Sequence, residues 1–258
     1  MDKPDEVPSY TTEHFFEKRT KYAMIVPVIN EGDRIRIQLG RMRPYLDAVD
    51  AFIIDGGSTD GSVSPEILRE TGLRGFLLKT GDGKLSAQLR CGLAHCLSEG
   101  YEGVILMDGN NKDDPEAIPR FIEALNSGID HIQGSRFVSG GKALNNPLSR
   151  LWGIKLIHAP LISSAAGVRY TDTTNGFRAY SKKLLIDERV KPFRNIFSTY
   201  ELHYYLAIQA GRLGFKVKEI PVIREYPAGE IPSKIGGFSG NMKIIKILIN
   251  SYRGAYNP

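Results

Sequence analysis

Short apolar runs alternate with longer amphipathic stretches in the first half of this 258-residue chain. Runs of four to six mostly apolar residues have the length of buried strands, and they occupy residues 23–28, 51–54, 75–78 and 104–107. Helices are predicted between them, at residues 31–46, 65–71 and 84–98. This alternation predicts an α/β fold: a mostly parallel central sheet flanked by helices, with ligands at the carboxyl ends of the strands.

The second half of the chain has a different pattern and a different charge. Between residues 131 and 180 glycines and prolines interrupt every periodic stretch, which predicts a loop-rich region. Residues 1–150 hold 18 Lys and Arg against 22 Asp and Glu, whereas residues 151–258 hold 16 against 7. The basic part favours an anionic partner, and a solvated basic face is the alternative. Because no helix-turn-helix, zinc-finger or aromatic RNA-binding motif occurs, we expect anionic lipid or a phosphorylated molecule rather than nucleic acid.

Three features bear on the cellular compartment. Cys91 and Cys96 are five residues apart and match neither a disulfide framework nor a zinc motif, so we expect thiols in a reducing environment. The charged residues 1–6 do not resemble a signal peptide, and no run of about 18 apolar residues occurs. We therefore expect a cytoplasmic protein. The stretch 242–250 predicts a surface helix with lysines bordering an apolar side, for peripheral contact with the inner membrane face, or alternatively a core helix.

Polar motifs stand where the predicted strands end. They are VPVINEG at 26–32, IDGGSTDG at 54–61 and DGN at 108–110, followed by GSR at 134–136 and DTTNGFR at 172–178. In this order and spacing the five motifs resemble the family 2 glycosyltransferases of the GT-A fold, in particular the dolichol-phosphate-mannose-synthase-like branch, over residues 22 to about 235.

The resemblance implies a GT-A-type nucleotide-binding fold and an inverting glycosyltransferase. The donor would be a nucleoside-diphosphate sugar, and the acceptor a polyprenyl phosphate or lipid-linked glycan at the cytoplasmic membrane surface. It also implies a single domain over 1–258. Its parts would be a nucleotide-sugar-binding part (22–130), an acceptor-binding part with many loops (131–240), and a C-terminal helix and tail (241–258).

The donor site is expected around the first two motifs. By resemblance Pro27, Glu31 and Asp55 bind the nucleoside, and Asn30 faces the same crevice. A carboxylate such as Asp55 accepts hydrogen bonds from nucleobase N–H groups. The turn at 81–84 lacks the full Walker spacing, but its Lys84 is a donor-binding candidate. The full predicted donor set is Pro27, Asn30, Glu31, Asp55, Lys84, Asp108, Gly109 and Lys234.

Asp108 is the central catalytic candidate. In similar enzymes an Asp-x-Asp motif holds Mg²⁺ or Mn²⁺ against the diphosphate and so neutralises charge on the leaving group. Here the second position is Asn110, an amide without charge, so we expect a divalent ion held weakly by Asp108 and Asn110. Asp113 or Asp114 could lend a carboxylate, or Lys112 could supply the positive charge directly.

The acceptor site is expected around three arginines. Arg136 and Arg150 flank a glycine-rich loop, and arginines at matching positions in the similar enzymes bind the phosphate of the lipid acceptor, whose geometry suits a guanidinium. Arg178 adds positive charge. Lys234 lies in a Gly-x-Ser-Lys-like segment with two extra residues, which in similar enzymes closes over the diphosphate.

The remaining carboxylates separate two kinds of acceptor. Glu201, near the start of a predicted helix at 198–213, lies where similar enzymes place the base for hydroxyl acceptors, and Asp172 is its rival. A phosphate acceptor is already anionic and needs no base. The alternatives are therefore transfer to a saccharide hydroxyl with Glu201 as base, or a non-catalytic nucleotide-sugar-binding protein. A sugar-1-phosphate nucleotidyltransferase is disfavoured because residues 27–32 lack its Arg- and Lys-containing glycine-rich loop.

Overall fold

The computed structural model of the protein describes residues 6–227 and 237–258. Its strands are β1 (Tyr10–His14), β2 (Ala23–Val28), β3 (Asp50–Asp55), β4 (Gly75–Lys79), β5 (Gly103–Leu106), β6 (His131–Ser135), β7 (Lys142–Leu144), β8 (Arg178–Ser181), β9 (Val217–Pro221) and β10 (Ile223–Glu225). Its helices are α1 (Asp33–Met42), α2 (Pro65–Leu68), α3 (Leu85–Ser98), α4 (Ile118–Asn126), α5 (Leu148–Gly153), α6 (Ala159–Ala166), α7 (Lys182–Leu185), α8 (Glu201–Arg212) and α9 (Gly237–Tyr252). The four predicted strands are thus confirmed within one residue at each end.

Eight strands form one sheet in the order β1-β4-β3-β2-β5-β8-β6-β9, and β10 pairs with β7 in a separate ladder. Strands β2 to β5 run parallel, while β1 and β8 are antiparallel to their neighbours. Because the carboxyl ends of parallel strands meet at one edge, the motifs that follow β2, β3 and β5 lie side by side. In this register Val28 is opposite Asp55.

The core lies on both faces of the sheet. Met24 and Val26 of β2 pack against α1, whereas the alternate residues Ala23 and Ile25 pack with Leu89 of α3. This is the two-residue period of a strand covered on both sides, and it accounts for the continuous apolar runs in the sequence. Cys91 and Cys96 lie buried in α3 as thiols.

A helical stretch crosses the region predicted to be rich in loops. Helices α5 and α6 are joined by a π-helical segment at Ile154–His158, so the chain is helical from 148 to 166. Pro160 stands in the first turn of α6, directly after the wider π turn. A proline lacks the N–H of a helical hydrogen bond and clashes with the preceding turn, and the π segment places it where both costs are small.

The C-terminal helix α9 packs its apolar side against the protein. Ile244, Ile247 and Leu248 are buried in a cluster with Ile162 of α6 and Ile208 of α8. These residues of α9 therefore belong to the core, as the alternative prediction had it. They are covered by α6 and α8 and are not exposed for contact with a membrane. None of the helices in the described ranges is long and apolar enough to cross a bilayer.

Candidate functional site

The loops after β2 and β3 are joined to each other at the edge of the sheet. Asn30 has a left-handed φ of 48°. Its side-chain oxygen accepts a hydrogen bond from the N–H of Thr59 at 2.8 Å, and its own N–H donates to Ser58 Oγ at 3.0 Å. Asp60 accepts from the N–H of Gly32 at 2.9 Å. Asn30 thus links the loop after β2 to the loop after β3. The sequence predicted it beside the donor and did not predict this structural role.

The two predicted nucleoside carboxylates lie in these loops with local partners. Asp55 is buried and accepts hydrogen bonds from the N–H and the hydroxyl of Ser58, at 3.0 and 2.6 Å. Glu31 is buried and forms an ion pair with Arg34 at 3.1 Å. A carboxylate has about four acceptor positions, so one carboxylate can bond to the protein and to a ligand together. Pro27 lies at the end of β2, opposite Ile54.

A buried glutamine that the motifs did not reveal ties the two strand ends together. The amide of Gln88, in α3, donates to the carbonyls of Val28 at 2.8 Å and Ile54 at 2.5 Å. A Cβ added at Gly56 would lie 3.2 Å from this amide, so a larger residue there would have to displace the side chain of Gln88. Gln88 is the one amide side chain of a helix that is buried over nearly its whole length, which is the sequence signal for such a role.

Asp108 follows β5 and faces the same edge of the sheet. A quarter of its side chain is exposed, and Oδ2 accepts a hydrogen bond from Arg224 at 3.0 Å. Burial opposes its ionised form, but Arg224 and then His203 outweigh burial and hold the pKa of Asp108 below its ordinary value. The backbone at Gly176 passes so close that an added Cβ would be 2.3 Å from Oδ1. Asp108 is therefore an ionised carboxylate held in one position.

Arg224 joins Asp108 to a second, fully buried aspartate. Its Nη1 lies 2.7 and 2.6 Å from the two carboxylate oxygens of Asp113. Although burial opposes its charge, Asp113 and Asp108 raise the pKa of Arg224 well above its ordinary value. Asp114 accepts from the N–H of Ile223 at 2.9 Å, and burial raises its pKa to about 6. Because both neighbours are engaged, Asp108 and Asn110 remain the predicted metal ligands; Asn110 is half-buried.

Cations gather around Tyr226 beside this network. Lys112 is buried with Nζ 4.7 Å from the centre of the Tyr226 ring, and Arg150 donates to the Tyr226 hydroxyl at 2.6 Å. Burial and then Arg224 lower the pKa of Lys112. Burial alone would raise the pKa of Tyr226, but Arg224, Arg150 and Lys112 lower it. A cleft of about 460 Å³ opens here, lined by Arg41, Asn111, Lys112, Asp114, Ile223, Glu225, Tyr226 and Pro227.

The predicted residues Arg136 and Asp172 form a buried ion pair. Arg136 Nε and Nη2 lie 2.6 and 2.9 Å from the two oxygens of Asp172, and Nη2 also donates to Thr174 Oγ1 at 2.6 Å. Burial opposes the ionised form of Asp172, yet Arg136 keeps its pKa below the ordinary value. In this arrangement Asp172 is not a base facing the crevice, and Arg136 does not offer its guanidinium to a phosphate.

Arg178 is also buried and bonds to backbone. Its guanidinium donates to the carbonyls of Asn175 at 2.9 Å, His203 at 2.8 Å and Thr173 at 2.6 Å. Only 1% of the residue is exposed, so Arg178 has almost no accessible surface with which to make the predicted contact with an acceptor. Arg178 stabilises the loop at 172–178, and of the three predicted acceptor arginines only Arg150 lies beside the cleft.

Glu201 is the first residue of α8, and its carboxylate holds the segment that leads into the helix. It accepts hydrogen bonds from the N–H groups of Ser198 at 3.1 Å and Thr199 at 2.6 Å. An acidic residue in the first turn also interacts favourably with the helix dipole. The exposed Lys84 lies next to this segment in space, because its N–H donates to the carbonyl of Ser198 at 2.8 Å. Lys234 lies outside the described residues.

The start of α8 brings two other side chains under the influence of Asp108. Burial and then Arg178 lower the pKa of His203 to about 3, so its imidazole is neutral. Burial and then the charge of Asp108 raise the pKa of Tyr200. Neither residue belonged to a recognisable motif, because their relation to Asp108 arises only when α8 packs beside the sheet.

Another group of metal-type ligands lies away from this crevice. His14 of β1 and His95 of α3 have their Nε2 atoms 3.0 Å apart, with Glu99 close by. Glu99 forms an ion pair with Arg74 at 2.8 Å, and burial lowers the pKa of His95 to about 4. These groups bond to one another, and the adjacent guanidinium opposes a cation, so we assign no metal to them.

Comparisons with known proteins agree with this geometry. The model of the family "Glycosyl transferase family 2" matches residues 23–188. The chain is 30% identical over 204 residues to undecaprenyl-phosphate mannosyltransferase of Micrococcus luteus, covering 77% of this chain and 81% of that protein. It is 29% identical over 202 residues to polyprenol monophosphomannose synthase of Mycolicibacterium smegmatis, covering 77% and 75%. A structure of glucosyl-3-phosphoglycerate synthase from Mycobacterium tuberculosis with Mn²⁺, UDP and glucosyl-3-phosphoglycerate has a TM-score of 0.63 at 17% identity, covering 90% and 80%. The GT-A-type fold predicted from the motifs is thereby confirmed.

Proposed function

Because this chain belongs to glycosyl transferase family 2, we propose that it transfers a sugar from a nucleoside-diphosphate sugar to a polyprenyl phosphate. The observation that carries the proposal is the position of Asp108. This ionised carboxylate lies at the carboxyl ends of the parallel strands, fixed by Arg224, with the cations around Tyr226 beside it. The relatives named for undecaprenyl-phosphate and polyprenol transfer support the acceptor class.

The donor would lie against the loops after β2 and β3. Pro27, Glu31 and Asp55 would contact the nucleoside, and Asp108 and Gly109 would face the diphosphate. Lys84 stands exposed at the start of α3, where it could approach the donor. The anomeric carbon of the sugar then lies between Asp108 and the cations of the acceptor side.

The reaction proposed is a single displacement with inversion. An oxygen of the acceptor phosphate forms a bond to the anomeric carbon, while the bond from that carbon to the diphosphate breaks. The nucleoside diphosphate leaves with the electron pair. A phosphate oxygen is already anionic and needs no general base. The contacts of Glu201, which is bonded to the N–H of Thr199, and of Asp172, which is paired with Arg136, are consistent with such an acceptor.

A divalent ion fits the site only in part. Asp108 and the side-chain oxygen of Asn110 are hard oxygen ligands of the kind that Mg²⁺ and Mn²⁺ prefer. When bound, the ion would neutralise charge on the leaving diphosphate. Only one of the two ligands is charged, and the cations Arg224 and Lys112 lie close to Asp108. We therefore propose a weakly held ion whose role Arg224 and Lys112 share.

The acceptor phosphate would bind at the cleft beside Tyr226. Arg41 and Lys112 line the cleft, and Arg150, whose guanidinium suits phosphate geometry, bonds to Tyr226 beside it. Since a polyprenyl phosphate resides in a bilayer, we propose that the reaction takes place at the cytoplasmic face of the cell membrane, with the protein bound peripherally.

Two measurements test this function. Transfer from a panel of nucleoside-diphosphate sugars to a short-chain prenyl phosphate should occur with the wild type and vanish in Asp108→Ala. Asp33→Ala, at an exposed aspartate of α1, is the matched control and should retain activity. An Asp108→Ala variant with normal turnover would refute the proposal.

Ligand-induced thermal shifts identify the donor and the metal together. A nucleotide present at about 100 times its Kd stabilises the native state by about 2.7 kcal/mol. We expect this shift to depend on the base and to grow when Mn²⁺ is added. Full transfer activity in excess chelator would exclude the ion and leave Lys112 and Arg224 to neutralise the diphosphate.

A further inference from the structure

An apolar stripe lies exposed on the helical stretch from 148 to 166. Leu148 is 73% exposed, Trp152 61%, Leu156 66% and Ile157 42%. The first three are spaced by four residues, which aligns them along one side of a helix. We call these four residues the apolar stripe. Contiguous large apolar side chains at a surface mark an interaction site, whereas single exposed ones do not.

The charge around the apolar stripe identifies its partner. From residue 131 to residue 171 the sequence contains no Asp or Glu but five Lys and Arg. Among them Lys142 and Lys155 are exposed, and Lys155 lies 5.0 Å from the ring centre of Phe137. Apolar side chains bordered by basic ones, with a tryptophan among them, suit the interface of an anionic bilayer. A bilayer matches both parts of this pattern, because its hydrocarbon would cover the apolar side chains and its anionic headgroups would meet Lys142 and Lys155.

The apolar stripe is joined to the cations of the candidate site. Arg150 lies in the turn between Leu148 and Trp152, and its Nη1 donates to Tyr226 Oη at 2.6 Å. Tyr226 in turn faces Lys112 at 4.7 Å. Arg150 is two residues from both Leu148 and Trp152, so it lies on the opposite side of the helix from the apolar stripe and faces the candidate site. The helix that contacts the bilayer would also position the acceptor.

We infer that Leu148, Trp152, Leu156 and Ile157 form the surface by which this protein docks on an anionic lipid bilayer, so that Arg150 meets the phosphate of a bilayer-resident acceptor. The link to the acceptor rests on the proposed function, whereas the docking itself does not. This assigns membrane contact to α5 and the π segment instead of α9, whose apolar side is buried against α6 and α8.

The protein carries its own probe for this contact. Trp152 is the single tryptophan of the chain, so intrinsic fluorescence reports on the apolar stripe alone. The full chain is titrated with vesicles of phosphatidylglycerol and phosphatidylcholine in equal parts. We expect a blue shift of the emission and quenching by lipids brominated on the acyl chains. Pure phosphatidylcholine should bind at least about tenfold more weakly, since the attraction of Lys142 and Lys155 is lost.

Matched variants locate the surface. Ile157→Glu and Leu156→Glu should each weaken vesicle binding at least about tenfold, the effect expected when a buried aliphatic side chain is replaced by a charge. Ile37→Glu makes the same change at an exposed isoleucine of α1, 55% exposed, and should bind as the wild type does. Equal binding of Ile157→Glu and Ile37→Glu, or vesicle binding without a change in Trp152 emission, would overturn the inference. A blue shift that grows with protein concentration and needs no lipid would assign the surface to a second copy instead.

Activity separates this inference from the proposed function. Leu156→Glu should transfer sugar to a water-soluble short-chain prenyl phosphate at the wild-type rate, and lose at least about tenfold on a long-chain acceptor embedded in vesicles. Equal losses on both acceptors would overturn the link between docking and acceptor. Absence of transfer to either acceptor by the wild type would refute the proposed function, while the fluorescence titration would still decide the docking.

Discussion

Substitution of Gly176 by alanine tests whether the position of Asp108 is set by sterics. An added Cβ would lie 2.3 Å from Oδ1, 2.7 Å from Cγ and 2.9 Å from Oδ2 of Asp108. Ordinary contact begins at 3.4 Å, so the carboxylate must move by about 1 Å. Such a movement is opposed by the 3.0 Å hydrogen bond from Arg224. Since Gly176 is not among the glycines with positive φ, an alanine fits its backbone and acts only through this collision.

The size of the effect follows from that displacement. Misplacing a catalytic group by about 1 Å can cost about 100-fold in rate, and overpacking a closely packed site costs about 1–3 kcal/mol. For a chain of this length we expect Tm to fall by about 2–12 °C. The assays are sugar transfer at saturating donor and thermal unfolding followed by circular dichroism.

A glycine with open surroundings supplies the control. Gly40, inside α1, has nothing within 4 Å of an added Cβ. Gly40→Ala should retain full activity and be more stable by about 0.5–1 kcal/mol, because alanine favours a helix. If Gly176→Ala turned over like Gly40→Ala, the claim that catalysis requires Asp108 in this position would be wrong.

Four further substitutions test the buried charges and the carboxylate at the start of α8. Arg224→Met leaves Asp113 buried without a cation and should lower the free energy of unfolding by about 3–5 kcal/mol in urea. Adding Asp113→Asn should recover part of that loss, and a loss below about 1 kcal/mol would contradict the role of the pair. The raised pKa of Asp114 means that the native state binds its proton more tightly, so its contribution to stability falls as pH rises from about 4 to about 6. Asp114→Asn should abolish this pH-dependent loss, which amounts to up to about 3 kcal/mol in the free energy of unfolding. An unchanged pH profile would refute the assignment. Glu201→Gln should cost about 1 kcal/mol through weaker hydrogen bonds from the N–H groups of Ser198 and Thr199, and leave transfer to phosphate nearly normal. A large loss of rate at unchanged Tm would instead indicate a hydroxyl acceptor.

Features that depend on residues close together in the sequence were predictable. The strands β2 to β5 and the helices between them follow from local periodicity. The same periodicity placed Asp108 and Asp55 at strand ends, where an α/β sheet binds its ligands. The short edge strand β1 has no such signal, since its residues Tyr10–His14 are at most half-buried, and it was not predicted.

Contacts between distant residues decided what the predicted side chains do. Arg136 meets Asp172 across 36 residues and Arg224 meets Asp113 across 111, so no local pattern distinguishes these buried pairs from cations that await a phosphate. Arg178 was assigned to the acceptor by its charge, yet in the structure it bonds to backbone carbonyls. A formal charge can be read from one residue, whereas its partner is set by the packing of the whole chain.

Helices α5 and α9 differ in whether their apolar side chains are buried. From the sequence, residues 242–250 were predicted to form an amphipathic helix, on the surface or in the core, whereas residues 148–157 fell within the region predicted to be rich in loops. In the folded protein Ile244, Ile247 and Leu248 are covered by α6 and α8, whereas Leu148 and Trp152 remain exposed. The sequence determined that residues 242–250 possess an apolar side, whereas the helix at 148–157 and its exposed apolar side were not predicted. Only the tertiary structure decided which side is covered, because burial depends on the surface that packs against a segment as well as on the segment itself.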